Sequence, residues 1–135
     1  FRRVLFRSKG RAYIYTTASP PAIAHGLLKS LELINQAEHR NALHKNIAYW
    51  RQHLKLNKWQ LIESSTAIQP IVIGSNEDAL LVAEALYKKN IWVPAIRPPT
   101  VPAGTARLRI TLSASHTADQ IDQLINAISE VEDAF

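Results

Sequence analysis

Three of the chain's seven prolines, Pro98, Pro99 and Pro102, stand within five residues of one another, in the segment Ala95-Ile96-Arg97-Pro98-Pro99-Thr100-Val101-Pro102-Ala103-Gly104-Thr105. Each proline fixes φ at about −65° and removes a backbone donor, so neither a helix nor an inner strand can run through the segment. It must be an extended loop, and the elements on either side must be ones that such a loop can join. Downstream, Ala106 to Leu112 alternates: Leu108, Ile110 and Leu112 lie on one face, Arg107, Arg109 and Thr111 on the other. That is the period of a half-buried strand. Upstream, Ile91-Trp92-Val93 begins a second strand. Arg97 precedes a proline, which biases its backbone to extended geometry. A stiff loop is a suitable mount for a guanidinium that meets a carboxylate through two parallel hydrogen bonds. Spacing alone fits a binding loop and a purely structural proline loop equally well.

Before this loop, Ile68 to Ile73 reads as a strand, and Pro70 within it suggests an edge position or an irregular start. Gly74-Ser75-Asn76 makes a turn, with Ser75 or Asn76 capping a helix that runs to about Lys89. Ala79, Val82, Ala83 and Leu86 give this helix one apolar face, and Asn90 is placed to end it. The helix joins two strands, in the manner of a βαβ crossover. After the loop, Thr117 and Gln120 have the spacing of a capping box, and Ile121, Leu124, Ile125 and Ile128 supply the buried side of a final helix. From residue 59 onward the expected order is β-α-β-β-α, a small two-layer α+β domain within an α/β class protein. Arg107 and Arg109 read as a polar sheet face or as structural ion pairs. The helix dipole accounts for Asp119 and Asp122.

The first half is organised differently. Ala12 to Thr17 is rich in β-branched and aromatic residues, as a strand requires. Ser19-Pro20-Pro21 has the form of a helix start. Ile23, Leu27, Leu28, Leu31 and Ile34, followed by Leu43, Ile47, Trp50 and Leu54, keep helical spacing. They predict two consecutive helices, or one long bent helix, over roughly 20–57, with Leu27, Leu31, Ile47 and Trp50 partly uncovered. Residues 1–10 do not share this grammar: three arginines are interleaved with Val4, Leu5 and Phe6, as in an edge strand or a foreign leader. The expected partition is a leader at 1–10, the end of a larger domain with interdomain helices at 11–58, and the small domain at 59–135.

Composition narrows the function classes. With 47% apolar and 20% charged residues the chain is ordinary globular material. It has no cysteine, so disulfides, thiolate metal sites and cysteine nucleophiles are excluded. Four scattered glycines form no phosphate-cradling loop. His25, His39, His44 and His53 lack the spacing and the accompanying carboxylates of a metal site, so no metal is expected. The net charge is +5, yet Arg2, Arg3 and Arg7 hold three of the sixteen basic residues within the first eight positions. What remains is scattered, without a basic stripe and interleaved aromatics, and does not favour nucleic acid. No stretch is long and apolar enough to predict a membrane helix.

Arg97 to Leu112 resembles the C-terminal signature of the 8-amino-7-oxononanoate synthases, a branch of the α-oxoamine synthases with the pyridoxal-phosphate-dependent aspartate-aminotransferase fold. Tyr13-Ile14-Tyr15-Thr16-Thr17-Ala18-Ser19-Pro20-Pro21 is similar to a second motif of that family, and Ala67-Ile68-Gln69-Pro70 to a third. The likeness runs in order from about Arg11 to the C-terminus. The Arg97-Pro98-Pro99 run favours the biotin-pathway branch over the related ligases and aminolevulinate synthases. The resemblance implies a cytoplasmic homodimer that condenses L-alanine with pimeloyl-CoA or a pimeloyl-carrier protein, releasing CO₂ and the free thiol. It implies that Arg97 holds a substrate carboxylate, with Thr100 against the substrate in the same loop. Thr16 and Thr17 would reach the cofactor phosphate of the partner subunit. The family's cofactor-binding lysine lies well upstream of Tyr13, and Lys9 is too close to Thr16 to be that residue. The expectation is a C-terminal fragment, inactive alone. The other reading is a free-standing ligand-binding or regulatory module that uses the Arg97 loop without catalysis.

Overall fold

The computed structural model describes residues 9, 10, 14, 17, 18 and 20–135, and the chain divides into two compact units, residues 1–37 and 38–135. Within the first unit, helix α1 spans Pro21–Asn35. Pro21 stands at the start of the helix, where its missing N–H costs nothing, and Pro20 is the N-cap without a side-chain cap. Ser19, expected to cap, lies outside the described residues. At Gln36 the backbone turns extended (ψ 127°) and its N–H closes onto the Leu33 carbonyl at 3.1 Å. The next helix, α2, begins at once at Ala37 and runs to His53. Two helices, not one bent helix, therefore occupy this stretch.

The strand expected at Ala12–Thr17 falls largely on residues outside the description. At Ile14 the structure differs from that expectation: the residue is helical and its N–H bonds to the Gly10 carbonyl at 2.9 Å. A strand needs a neighbouring ladder, and among the described residues none pairs here, so the local bond prevails.

In the second unit a four-stranded antiparallel sheet is built from β1 (Gln60–Leu61), β2 (Ile68–Gly74), β3 (Ala95–Ile96) and β4 (Ala106–Thr111), in the order β1-β2-β4-β3. Since β2 and β3 both run antiparallel to β4, they are parallel to each other. Helix α3 (Asn76–Lys88) crosses between them with β4 inserted, giving a split βαβ. β1 escaped sequence reading because two residues carry no period. β3 starts at Ala95, four residues later than expected; Ile91 to Pro94 lies outside the ladder, although the Pro94 carbonyl accepts the Arg109 N–H at 3.0 Å.

The helix ends follow local chemistry. The Ser75 hydroxyl accepts the Asp78 N–H at 3.0 Å. Asn90 takes φ +62° past the end of α3, its N–H on the Tyr87 carbonyl and that of Ile91 on the Leu86 carbonyl. These two bonds are the Schellman arrangement, with asparagine in the left-handed position. Helix α4 (Ala118–Ala134) opens on the complete Thr117–Gln120 capping box.

Directly opposed residues share a sheet face. Gln69 with Ile110, Ile71 with Leu108 and Ala95 with Leu108 face the helices; Ile68 with Thr111, Pro70 with Arg109, and Val72 with Arg107 and Ile96 face away. The core joins Ile71, Leu108 and Ile110 to Val82 and Leu86 of α3 and Ile121, Ile125 and Ile128 of α4. It also takes in Ile47, Trp50 and Leu54. This corrects the expectation that Ile47 and Trp50 would be uncovered: Trp50 is fully buried. The apolar stripe of α2 thus belongs to the sheet's own core, within the unit 38–135. Leu27 and Leu31 remain exposed, as expected, and so do Ile23, Leu28 and Ile34.

Glu132, 1% exposed, closes this unit. Its carboxylate accepts the backbone N–H groups of Asn57, Lys58 and Trp59 at 2.8–3.1 Å, and Lys58 Nζ donates to its carbonyl at 3.0 Å. Burial pushes the carboxyl pKa up, but the three peptide donors outweigh it and hold the group below the ordinary glutamate value. On a second tie, the Tyr49 hydroxyl donates to Asp122 at 2.8 Å, a role beyond the dipole that was expected to account for this aspartate. That bond raises the phenol's pKa.

Two outcomes follow. Glu132→Ala should lower stability by about 3 kcal/mol, or roughly 10 °C in Tm, since it orphans the three donors. Because the folded pKa of Glu132 is depressed, its contribution is present above the unfolded value of about 4.3 and is lost as pH falls through the lower folded value. Urea titrations from pH 7 to pH 3 should show that acid loss diminished in the variant. For α1, an exposed apolar face promotes association. Leu27→Glu with Leu31→Glu should therefore shift sedimentation profiles at high concentration toward monomer.

Candidate functional site

Strand β3 delivers the chain directly to Arg97, and β4 receives it at Ala106, so the proline loop is held at both ends by adjacent strands. Inside the loop two turns follow one another. The Thr100 N–H bonds to the Arg97 carbonyl at 3.0 Å, with the Pro98–Pro99 peptide cis between them. The Thr105 N–H bonds to the Pro102 carbonyl at 3.2 Å, and its hydroxyl donates to the same oxygen at 2.8 Å. Gly104 completes this turn at φ +76°, where a side chain would be strained. Its carbonyl oxygen lies 4.0 Å from where a Cβ on Gly74 would stand, so the loop passes close to the end of β2.

Arg97 and Thr100 are thus brought together as the first and last residues of one turn, and both are exposed. The ion pairs among the described residues, Lys29–Glu32, Lys88–Glu84 and Lys89–Glu130, do not involve Arg97. Arg97 is exposed and, among the described residues, is not committed to an internal acid. Thr17, in the first unit, is exposed; Thr16 lies outside the described residues.

Arg107 was expected to serve as sheet surface or as an ion-pair partner. Among the described residues it joins no ion pair. Its Nε donates to the Thr105 carbonyl and its Nη2 to the Thr105 hydroxyl, both at 3.1 Å. Sequence spacing could have hinted at this, since the arginine stands two residues beyond the threonine. Arg109 is exposed, with no ion pair among the described residues.

The third motif, around Gln69-Pro70, proves structural. Pro70 lies in an inner strand, where a proline breaks the ladder, rather than at an edge. The Ile62 N–H reaches the Pro70 carbonyl at 2.9 Å, but proline returns no donor to the Ile62 carbonyl. Arg51 Nη1 supplies it at 3.1 Å and also donates to Gln69 Oε1 at 2.8 Å. Gln69, fully buried, spends its amide N–H groups on the Ser64 and Thr66 carbonyls. A groove of about 320 Å³ beside α4 is lined by Trp92, Thr111, His116 and Gln120 among others. It contains no Lys, Arg, Asp or Glu and includes neither Arg97 nor Thr100.

Among known proteins, the family of class I and II aminotransferases matches residues 5–128, beginning inside the segment 1–10 that reads as foreign. The chain is 60% identical over 127 residues to the 8-amino-7-oxononanoate synthase of Janthinobacterium sp. (strain Marseille), covering 92% of this chain and 32% of that protein. It is 54% identical over 125 residues to the one from Aromatoleum aromaticum, with the same coverage. Among solved structures it is similar to the serine palmitoyltransferase of Sphingomonas wittichii, with TM-score 0.81, 26% identity, 98% of this chain and 34% of that one. It is also similar to an 8-amino-7-oxononanoate synthase from Francisella tularensis, with TM-score 0.70, 29% identity, 96% of this chain and 38% of that one. A serine palmitoyltransferase variant from S. paucimobilis, solved with a bound PLP–myriocin aldimine, matches with TM-score 0.79 and 29% identity over 97% of this chain and 34% of that one. The chain therefore spans about a third of the length of the curated relatives it matches.

An exposed guanidinium with no acid partner contributes little to folding. Arg97→Gln should leave Tm within about 2 °C of wild type in thermal melts.

Proposed function

The chain belongs to the class I and II aminotransferase family, and from that premise we propose that it forms the C-terminal, substrate-facing part of a pyridoxal-phosphate-dependent acyltransferase. The reaction is the decarboxylative condensation of L-alanine with a pimeloyl thioester, giving 8-amino-7-oxononanoate for biotin synthesis. The observation that carries this reading is the 60% identity over 92% of the chain to a synthase of that name. Bound pyridoxal phosphate supplies an electron sink for the carbanion at the amino acid's α-carbon. This chain's residues fit the edge of such a site. Arg97 offers a planar fork that is free, among the described residues, to meet the alanine carboxylate with two parallel hydrogen bonds. Thr100, one turn on, presents its hydroxyl against the same substrate. The exposed hydroxyl of Thr17 is of the kind that phosphate oxygens accept from, and its sequence neighbour Thr16 carries the same group. We read the assembled enzyme as a cytoplasmic homodimer in which these threonines serve the partner's cofactor. Its acyl donor is pimeloyl-CoA or a pimeloyl-carrier protein. No helix of the described residues is long and apolar enough to cross a membrane.

Two measurements test this. The 135-residue chain mixed with pyridoxal phosphate should develop no absorbance band at the visible edge and no borohydride-trapped lysine adduct. A strong adduct at one lysine would overturn the assignment of the imine-forming lysine to other polypeptide. A chimera in which this chain replaces the matching 127 residues of the Janthinobacterium relative should form 8-amino-7-oxononanoate from L-alanine and a pimeloyl thioester. In it, Arg97→Gln should raise KM for L-alanine by roughly ten- to a hundredfold. A folded, cofactor-loaded chimera without that activity would refute the proposal. Affinity of the bare chain for alanine or a pimeloyl compound would favour a binding module.

A further inference from the structure

We infer that Arg107 is a positioning residue for Arg97: it holds the proline loop through Thr105 so that the Arg97 guanidinium meets a carboxylate already oriented. This rests on the reading of Arg97 as the substrate-carboxylate group. Residue 96, the last before Arg97, pairs directly with Arg107 across the β3–β4 ladder. The loop therefore leaves the sheet beside Arg107 and returns to it one residue before Arg107. At the return, the guanidinium grips both the carbonyl and the hydroxyl of Thr105 at 3.1 Å. That hydroxyl in turn donates to the Pro102 carbonyl at 2.8 Å. Between Pro102 and Arg97 the remaining freedom is small, since Pro98 and Pro99 fix φ and the Thr100 N–H closes the turn onto the Arg97 carbonyl. The contacts thus run from a strand of the core sheet to Pro102 and, two residues further back along the backbone, from Thr100 to the residue that carries the charge.

Arginine suits this role where lysine does not. Two donors in a fixed plane reach two acceptors on one residue, a geometry an ammonium cannot reproduce. Among the described residues Arg107 is not spent on a carboxylate. Its sheet neighbours across the outer face are Val72 and Ile96, which offer no side-chain acceptor. Its hydrogen-bonding capacity is directed to the loop.

The experiment separates position from charge. In the chimeric holoenzyme, Arg107→Lys keeps the positive charge and loses the fork, while Thr105→Val keeps the arginine and removes its hydroxyl acceptor. Thr105→Ser retains that acceptor. The first two should each raise KM for L-alanine roughly tenfold, with kcat within about twofold and Tm within about 3 °C, and Thr105→Ser should stay near wild type. Wild-type KM in Arg107→Lys, or equal losses in kcat and kcat/KM with a fallen Tm, would overturn the inference. Arg97→Gln is the reference arm. If it leaves KM unchanged, the reading of Arg97 itself fails; if it raises KM while Arg107→Lys does not, only the inference about Arg107 fails. On the 135-residue chain, amide exchange gives a readout independent of activity. The Thr100 N–H, which reports the Arg97 turn, should exchange at least several-fold faster in Arg107→Lys and in Thr105→Val than in wild type. Unchanged Thr100 protection in both would also overturn it.

Discussion

The Glu132 carboxylate sits in the last turn of α4, where the helix dipole disfavours negative charge, and it is buried there. Burial of the charge demands compensation, and the dipole adds a smaller cost. The dipole costs about 0.3–1 kcal/mol, whereas a charge-assisted hydrogen bond contributes about 1.5–3 kcal/mol, so three successive peptide N–H groups decide the balance. Those groups belong to Asn57, Lys58 and Trp59, the stretch that carries the chain from α2 into β1. Glu132 thereby ties the stretch just before β1 to the far end of the chain. β1 pairs with β2, β2 with β4 and β4 with β3. The Arg97 loop hangs from the last pair.

A second constraint is met in the middle of the sheet. Pro70 cannot give its neighbour a ladder bond, yet β2 is an inner strand. Arg51, projecting from α2, supplies the donor that the proline lacks and binds the buried Gln69 amide at the same time. A motif that resembles a family signature thus has a mechanical explanation within this chain. Gln69 ties together the loop before β2, the strand itself and the helix that covers it. Arg97 differs: it binds nothing internal among the described residues, and an exposed charge on a rigid loop is the feature that fold stability does not explain.

Much of this was legible because it is local. The alternation of Leu108, Ile110 and Leu112, the face of Ala79, Val82 and Leu86, the Ser75 cap, the Thr117–Gln120 box and the Asn90 stop each depend on residues within a turn or two. The harder features depend on partners far along the chain. β1 exists only because Val72 and Ile71 lie beside Gln60 and Leu61. Ile47 and Trp50 form a readable stripe, but which surface that stripe covers could not be read from its spacing. Of the candidate site, the loop and its arginine were visible as proline chemistry. The grip of Arg107 on Thr105, although local, was no more than hinted at by the two-residue spacing, since a strand arginine on an outward face has many acceptors within reach.

By itself the sequence determined the periods, the caps and the stiffness of the loop, because these are set by φ restriction, side-chain spacing and hydrogen bonds between near neighbours. It also carried the family likeness. Tertiary structure alone decided that α2 belongs to the sheet's core, that β4 is inserted between the strands joined by α3, and that a glutamate near the C-terminus holds residues 57–59. Each of those depends on which distant groups meet once apolar faces are buried, a choice governed by the packing of the whole unit rather than by any window of residues.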